Sequence, residues 1–248
     1  MEPSAQTGFD STAARLGEIL LVVAVAGITI TAGWALVGDG MLARQGVLWI
    51  ANVLMLLTVY AGLRVRGQGW AHFGLDFGWP GWRAALVNVL KSLAVCVVAL
   101  AAFMLGAVLM VVITGQGGAP EKADMSSYAW LQGNLPMFLV ALAAVYLVSS
   151  FGEEVIYRGF LINRIAELGG NGRAAIVVAV LISSVVFGLI HFGWGPVGIV
   201  QTTLMGLALA VAYLLLKRRL SILVLAHAYM DTLLLLPIYL SPAPGAAG

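Results

Sequence analysis

The stretch 86–113, LVNVLKSLAVCVVALAAFMLGAVLMVVI, decides what kind of fold this chain can adopt. Apart from Lys91 it carries no charge. A helix that is apolar on every side needs either the core of a large protein or lipid around it. The rest of the sequence shows which. Of its 248 residues 61% are hydrophobic and 10% charged, with a mean hydropathy of +1.00. Soluble domains carry about a quarter charged residues, so this chain has too little polar surface to cover a soluble body of its size. It reads as a membrane protein, with the lipid bilayer as its first partner.

Comparable apolar runs lie at about 19–37, 47–63, 135–151, 174–192, 197–216 and 221–240. Each is close to the ~20 residues a helix needs to cross the hydrocarbon core. Residues 152–168 continue the fourth run, and Lys91 places the first turn of the overlong third run at the interface. The expected fold is all-α, a polytopic membrane helix bundle of about seven transmembrane helices. Residues 1–134 form an N-terminal membrane region of three helices, 135–240 a second unit, and 241–248 a Ser/Pro/Ala/Gly tail. Segments 38–46, 64–84 and 114–134 read as connections. No internal repeat is visible.

Seven crossings put Arg15, Arg64, Arg66, Arg83, Arg164, Arg173, Lys217, Arg218 and Arg219 on one side and only Arg44 and Lys122 on the other, with Lys91 and Arg158 set aside as intramembrane or interfacial. The positive-inside rule then predicts a multi-pass protein of the plasma (inner) membrane, N-terminus cytoplasmic and C-terminus outside. Glu2, Asp10, Arg15 and Glu18 before the first run argue against a cleavable signal peptide. The net charge of +2 gives no reason to expect nucleic acid as a partner. Cys96 is the only cysteine, which excludes an intrachain disulfide or a Cys-based zinc site.

Ionisable groups inside apolar helices are costly and mark cavities or partners within a bundle. Three clusters stand out, all in the second half: Glu153-Glu154-Val155-Ile156-Tyr157-Arg158, Phe187-Gly188-Leu189-Ile190-His191, and His227-Ala228-Tyr229-Met230-Asp231. Glu154 with Arg158, and His227 with Asp231, have the i,i+4 spacing that shares one helical face. Glu153 is turned about 100° from Glu154, towards Tyr157, which leaves it without a cation on its own helix. Folding the chain at Gly169-Gly170-Asn171-Gly172 places Glu153 and Glu154 opposite Phe187 and Gly188, within one turn of His191. His227 reaches the same half of the bilayer from the basic turn at 217–219.

These motifs resemble the CAAX protease and bacteriocin-processing family of intramembrane proteases, related to the type II CAAX prenyl endopeptidase. Glu153-Glu154…Arg158-Gly159 is similar to EExxxRG, Phe187…His191 to FxxxH, and His227…Asp231 to a final Hxxx(N/D), in the family's order. The resemblance covers about 145–235 and implies a protease core in the C-terminal half. It implies an intramembrane endopeptidase acting on membrane-associated protein or peptide substrates. Glu153 would be the general base on water, while His191 orients that water or protonates the leaving amine. His227 would stabilise the oxyanion, and Glu154 with Arg158 would hold the geometry or bind substrate. Asp231 stands where many members have Asn, and it could be protonated, orient His227 or ligate a metal. Glu153, His191, His227 and Asp231 are also a reasonable zinc set, so the enzyme could be of the metallo- type, or of the glutamate type without a cofactor.

Each cluster taken singly has a plainer reading. Glu154 with Arg158 could be a structural ion pair, His191 a packing residue, and His227 with Asp231 an interhelical polar contact. Gly206 and Ala210 read as a close-packing face, and His72 has no assigned role. A proton-coupled transporter would use similar carboxylates, but such folds show paired repeats, and the first half has no counterpart to these clusters. A bacteriocin self-immunity protein or scaffold without catalysis is the third reading.

Overall fold

The apolar runs fold as helices throughout, and no strand occurs among the described residues. The structure is a computed structural model and describes residues 11–115 and 130–241. Glu2, Asp10, Lys122, much of the 114–134 connection and all of the tail beyond Ser241 lie outside the described residues.

Helix α1 (Thr12–Val37) starts at Ser11, whose hydroxyl accepts the Ala14 N–H at 3.1 Å, satisfying one of the free donors at a helix start. Helix α2 spans Met41–Val65, and a short 3-10 turn at Trp70–Phe73 leads to α3 (Gly81–Thr114). Asn134 caps α4 (Leu135–Val145), which runs into a π-helical segment, Tyr146–Leu161, and then α5 (Ile162–Leu168). Helices α6 (Arg173–Leu189), α7 (Gly195–Leu215) and α8 (Leu220–Leu240) complete the bundle.

Among the described residues, six helical stretches are long and apolar enough to cross a membrane, including the whole of Leu135–Leu168. The fifth expected span, 174–192, differs. It is realised as the 17-residue Arg173–Leu189, about 26 Å at 1.5 Å per residue and about one turn short of a full crossing. Gly195 at φ +70°, followed by Pro196 in the first turn of α7, redirects the chain. His191 therefore lies in the turn after α6 and not on the helix.

The π segment occupies the middle of the bundle, packed by α8, α2, α4, α5 and α6. α3 packs on α7 and α8, so the N-terminal helices are part of the same body. Gly106 lets α3 approach α7 closely, since a Cβ there would sit 2.6 Å from Gln201 Cα. Leu20, Val98, Val112 and Leu215 are exposed on the outside, an apolar surface suited to lipid.

One end of the bundle collects charge. The two oxygens of Glu18 in α1 accept from Arg66 Nε and Arg164 Nε, each at 2.7 Å. Arg164 also donates to Glu167 at 2.9 Å, and Arg15 lies 3.2 Å from the same carboxylate. The α7–α8 turn joins them, with Arg218 donating to Asn163 and the Leu220 N–H donating to Gly74 O at 3.0 Å. Arg15, Arg66, Arg164 and Arg218 thus share one end, as the charge distribution in the sequence led us to expect. Arg44 pairs with Asp39 at the α1–α2 turn.

Candidate active site

The π segment places the two adjacent carboxylates. Its backbone bonds run i→i+5, as where the Ile162 N–H donates to Tyr157 O. Such geometry is rare and concentrates at functional sites. The helical phase derived from 3.6 residues per turn does not apply here, yet Glu154 and Arg158 still meet, with Arg158 Nη1 donating to Glu154 Oε1 at 2.9 Å. Both side chains are fully buried, where an unpaired charge would be strongly unfavourable.

Arg158 is held on three sides. Its other nitrogen, Nη2, donates to Gly206 O at 3.3 Å, and its guanidinium carbon sits 4.2 Å from the Phe187 ring centroid, a cation–π contact. Gly206 leaves room for this, because a Cβ there would come within 3.0 Å of Phe187. The close-packing role expected of Gly206 therefore serves the arginine's surroundings.

His227 comes in from α8. Its Nδ1 lies 2.8 Å from Glu154 Oε1, the same oxygen that accepts from Arg158. A carboxylate only accepts, so Nδ1 carries the proton and Nε2 faces inward. Around Nε2 stand Ser149 Oγ at 3.3 Å, Glu153 Oε2 at 3.9 Å and Asp231 Oδ1 at 4.0 Å. Glu154, and not Asp231, is the direct partner that orients His227. Asp231 is held by two serines, Ser150 donating at 2.6 Å and Ser149 at 3.5 Å.

Glu153 has no ion pair at hydrogen-bonding distance, and its Oε2 is buried without a partner. The expectation that it lacks a cation on its own helix agrees with this geometry. Phe187 forms the opposite wall. Its ring lies 4.9 Å from the His191 ring, 6.5 Å from that of His227 and 5.3 Å from that of Tyr157. His191 is partly buried, and its Nδ1 is 2.7 Å from Phe187 O, which leaves Nε2 as the free nitrogen. Glu153, Glu154, Arg158, His227 and Asp231 thus form one connected group, with His191 beside it across Phe187.

The donor set named for zinc does not assemble as a ligand cluster. Among the described residues, no three His, Cys, Asp or Glu side chains are grouped to hold a metal ion. His227 commits Nδ1 to Glu154 and Ser150 engages Asp231, while His227 Nε2 and Glu153 Oε2 face each other at 3.9 Å.

Three contributors were missed in the sequence. Ser149 and Ser150 immediately precede the paired glutamates and could have been noticed as hydroxyls in an apolar helix. Asn52 of α2 is 7% exposed, its Oδ1 is buried without a partner, and it packs against Gly152. Nothing in the sequence joins positions so far apart.

Residues 135–233 match the family model described as Rce1-like, type II CAAX prenyl endopeptidase Rce1-like. This segment is a CAAX-protease-family domain. All six site residues fall inside it, and α1–α3 lie outside. At the level of the family, the match supports a CAAX-type intramembrane peptidase, and the apolar helices fit a multi-pass membrane protein. No curated protein and no solved structure matches the chain.

Proposed function

We propose that this CAAX-protease-like chain cleaves peptide bonds of membrane-associated proteins or peptides with a water activated by Glu153. The observation that carries the reading is the unpartnered, buried Glu153 oxygen 3.9 Å from His227 Nε2, beside a wall of Phe187 and His191. An acid without a partner in such a place can accept a proton from water as the water attacks the scissile carbonyl. Protonated Glu153 then returns that proton to the leaving amine. His227 in its imidazolium form, with Nδ1 on Glu154, offers Nε2–H to the oxyanion. The free Nε2 of His191 accepts from the attacking water and orients it.

Asp231, held by Ser150, is a positioning residue for the loop of polar groups around Nε2. Arg158 neutralises Glu154 and keeps the shared oxygen in place. On this reading the substrate's peptide enters from the bilayer, and the N-terminus faces the cytoplasm of the inner membrane. The gathering of Arg15, Arg66, Arg164 and Arg218 at one end supports that orientation.

The test uses the full chain in proteoliposomes with a quenched farnesylated CAAX peptide and an unprenylated hydrophobic peptide. Cleavage by the native protein is expected, with loss of activity in Glu153→Ala and His191→Ala variants that remain folded. Full activity in either variant would overturn the assignment.

A further inference from the structure

Away from the catalytic group, α3 and α7 leave an apolar groove of about 510 Å³ on the outside of the bundle. Val98 and Leu105 of α3 line one wall, and Leu204, Ala208 and Leu215 of α7 line the other. Its one charged lining residue is Lys91, which makes no hydrogen bond or ion pair among the described residues.

Gly106 of α3 lies against Gln201 near the start of α7, and the groove lining extends from there to Lys91 of α3 and Leu215 at the end of α7, an antiparallel arrangement. A second cation stands at the Lys91 end. Arg219 donates to Asn88 at 3.4 Å, and Asn88 is one turn before Lys91. This is the same end as the charged network of Glu18, Arg164 and Arg218. From Lys91 to Leu105 the groove runs about 21 Å at 1.5 Å per residue, somewhat more than one ~15 Å leaflet of hydrocarbon.

A groove that is apolar along its length, with Lys91 in its lining, Arg219 close by on Asn88 and no acid in its lining, matches one ligand chemistry. We infer that it holds an anionic phospholipid, with one acyl chain between α3 and α7 and the phosphodiester on Lys91 and Arg219. Basic sites between transmembrane helices bind such headgroups, and the apolar wall holds the chain by burial. The lipid would bridge the N-terminal helices to the protease-like half.

Full-length protein in mild detergent is titrated with phosphatidylglycerol or phosphatidylcholine, and bound lipid is read by native mass spectrometry. The native chain should retain one phosphatidylglycerol with at least about tenfold preference over phosphatidylcholine. The double variant Lys91→Gln, Arg219→Gln should lose most of that preference, and Ala208→Phe should lose retention of both lipids. Should Ala208→Phe fail to fold by size exclusion, Ala208→Met occupies the same space and takes its place.

Equal retention of both lipids by the native chain, or an unchanged preference in the charge variant, would overturn the inference. So would undiminished retention when Ala208 is enlarged. Displacement by a farnesylated CAAX peptide would instead assign the groove to the substrate's prenyl chain. These readouts require no peptidase activity, so they stand apart from the proposed reaction.

Discussion

Oε1 of Glu154 lies 2.8 Å from Nδ1 of His227 and 2.9 Å from Nη1 of Arg158, so one buried oxygen ties the π segment to α8. Removing it leaves a buried guanidinium with only a carbonyl and a ring for company. Glu154→Ala should therefore destabilise the protein by about 3–5 kcal/mol, read as a lower Tm in detergent. Glu154→Gln keeps an acceptor for one of the two donors and should lose less. Equal Tm values for Glu154→Ala and the native protein would show that this oxygen is not a structural tie.

Glu153 should separate activity from stability. Its Oε2 is buried without a partner, so Glu153→Gln removes a poorly satisfied acid and should leave Tm unchanged or raised. Cleavage should fall by about 10²–10⁴. A variant that both unfolds and loses activity would point to a structural carboxylate instead.

The Ser150–Asp231 bond predicts an ordered series. Asp231→Asn keeps an acceptor for Ser150 and gains an amide donor, so activity should remain within about tenfold of native. Asp231→Ala and Ser150→Ala both break the 2.6 Å contact and should lower kcat with little change in KM. A KM effect alone would place Asp231 in substrate binding.

Gly152 and Asn52 should behave as a pair. A Cβ on Gly152 would collide with the Asn52 amide, so Gly152→Ala should cost about 1–3 kcal/mol. Adding Asn52→Ala should recover most of it, a non-additivity read by a double-mutant cycle on Tm. Simple additivity would mean that the two helices do not meet there.

Chelation is a further check. A water activated by Glu153 alone needs no metal, so on the proposed reaction peptidase activity should survive prolonged chelator treatment. Purified protein should carry no stoichiometric zinc. Activity lost to chelator and restored by zinc would require a rearranged site.

Much of this architecture could be read in the residues themselves. Apolar runs of bilayer length gave the helices, and charges stranded in the second half marked Glu153, Glu154, Arg158, His191, His227 and Asp231. The i,i+4 pairing of Glu154 with Arg158 held, even though the backbone there is π-helical. What escaped the sequence depends on how helices face one another. The His227–Glu154 bond joins positions 73 residues apart, and Ser150 reaches Asp231 across 81. Spacing within a motif says nothing about such contacts. The early end of α6 was also hidden, because hydropathy continues past Leu189 while Gly195 and Pro196 already redirect the backbone.

Glu18 carries a consequence for how the protein is born. Its partners lie 48 and 146 residues downstream, at Arg66 and Arg164. A ribosome adding about 5–20 residues per second takes about 7–30 s to reach the second of them. Until Arg66 is made the acid of the first helix has neither partner, and from then until Arg164 is made it has Arg66 alone. Final docking of the nascent helices must therefore await the emergence of Arg164, which makes the closing of this ionic clasp a late event in biogenesis.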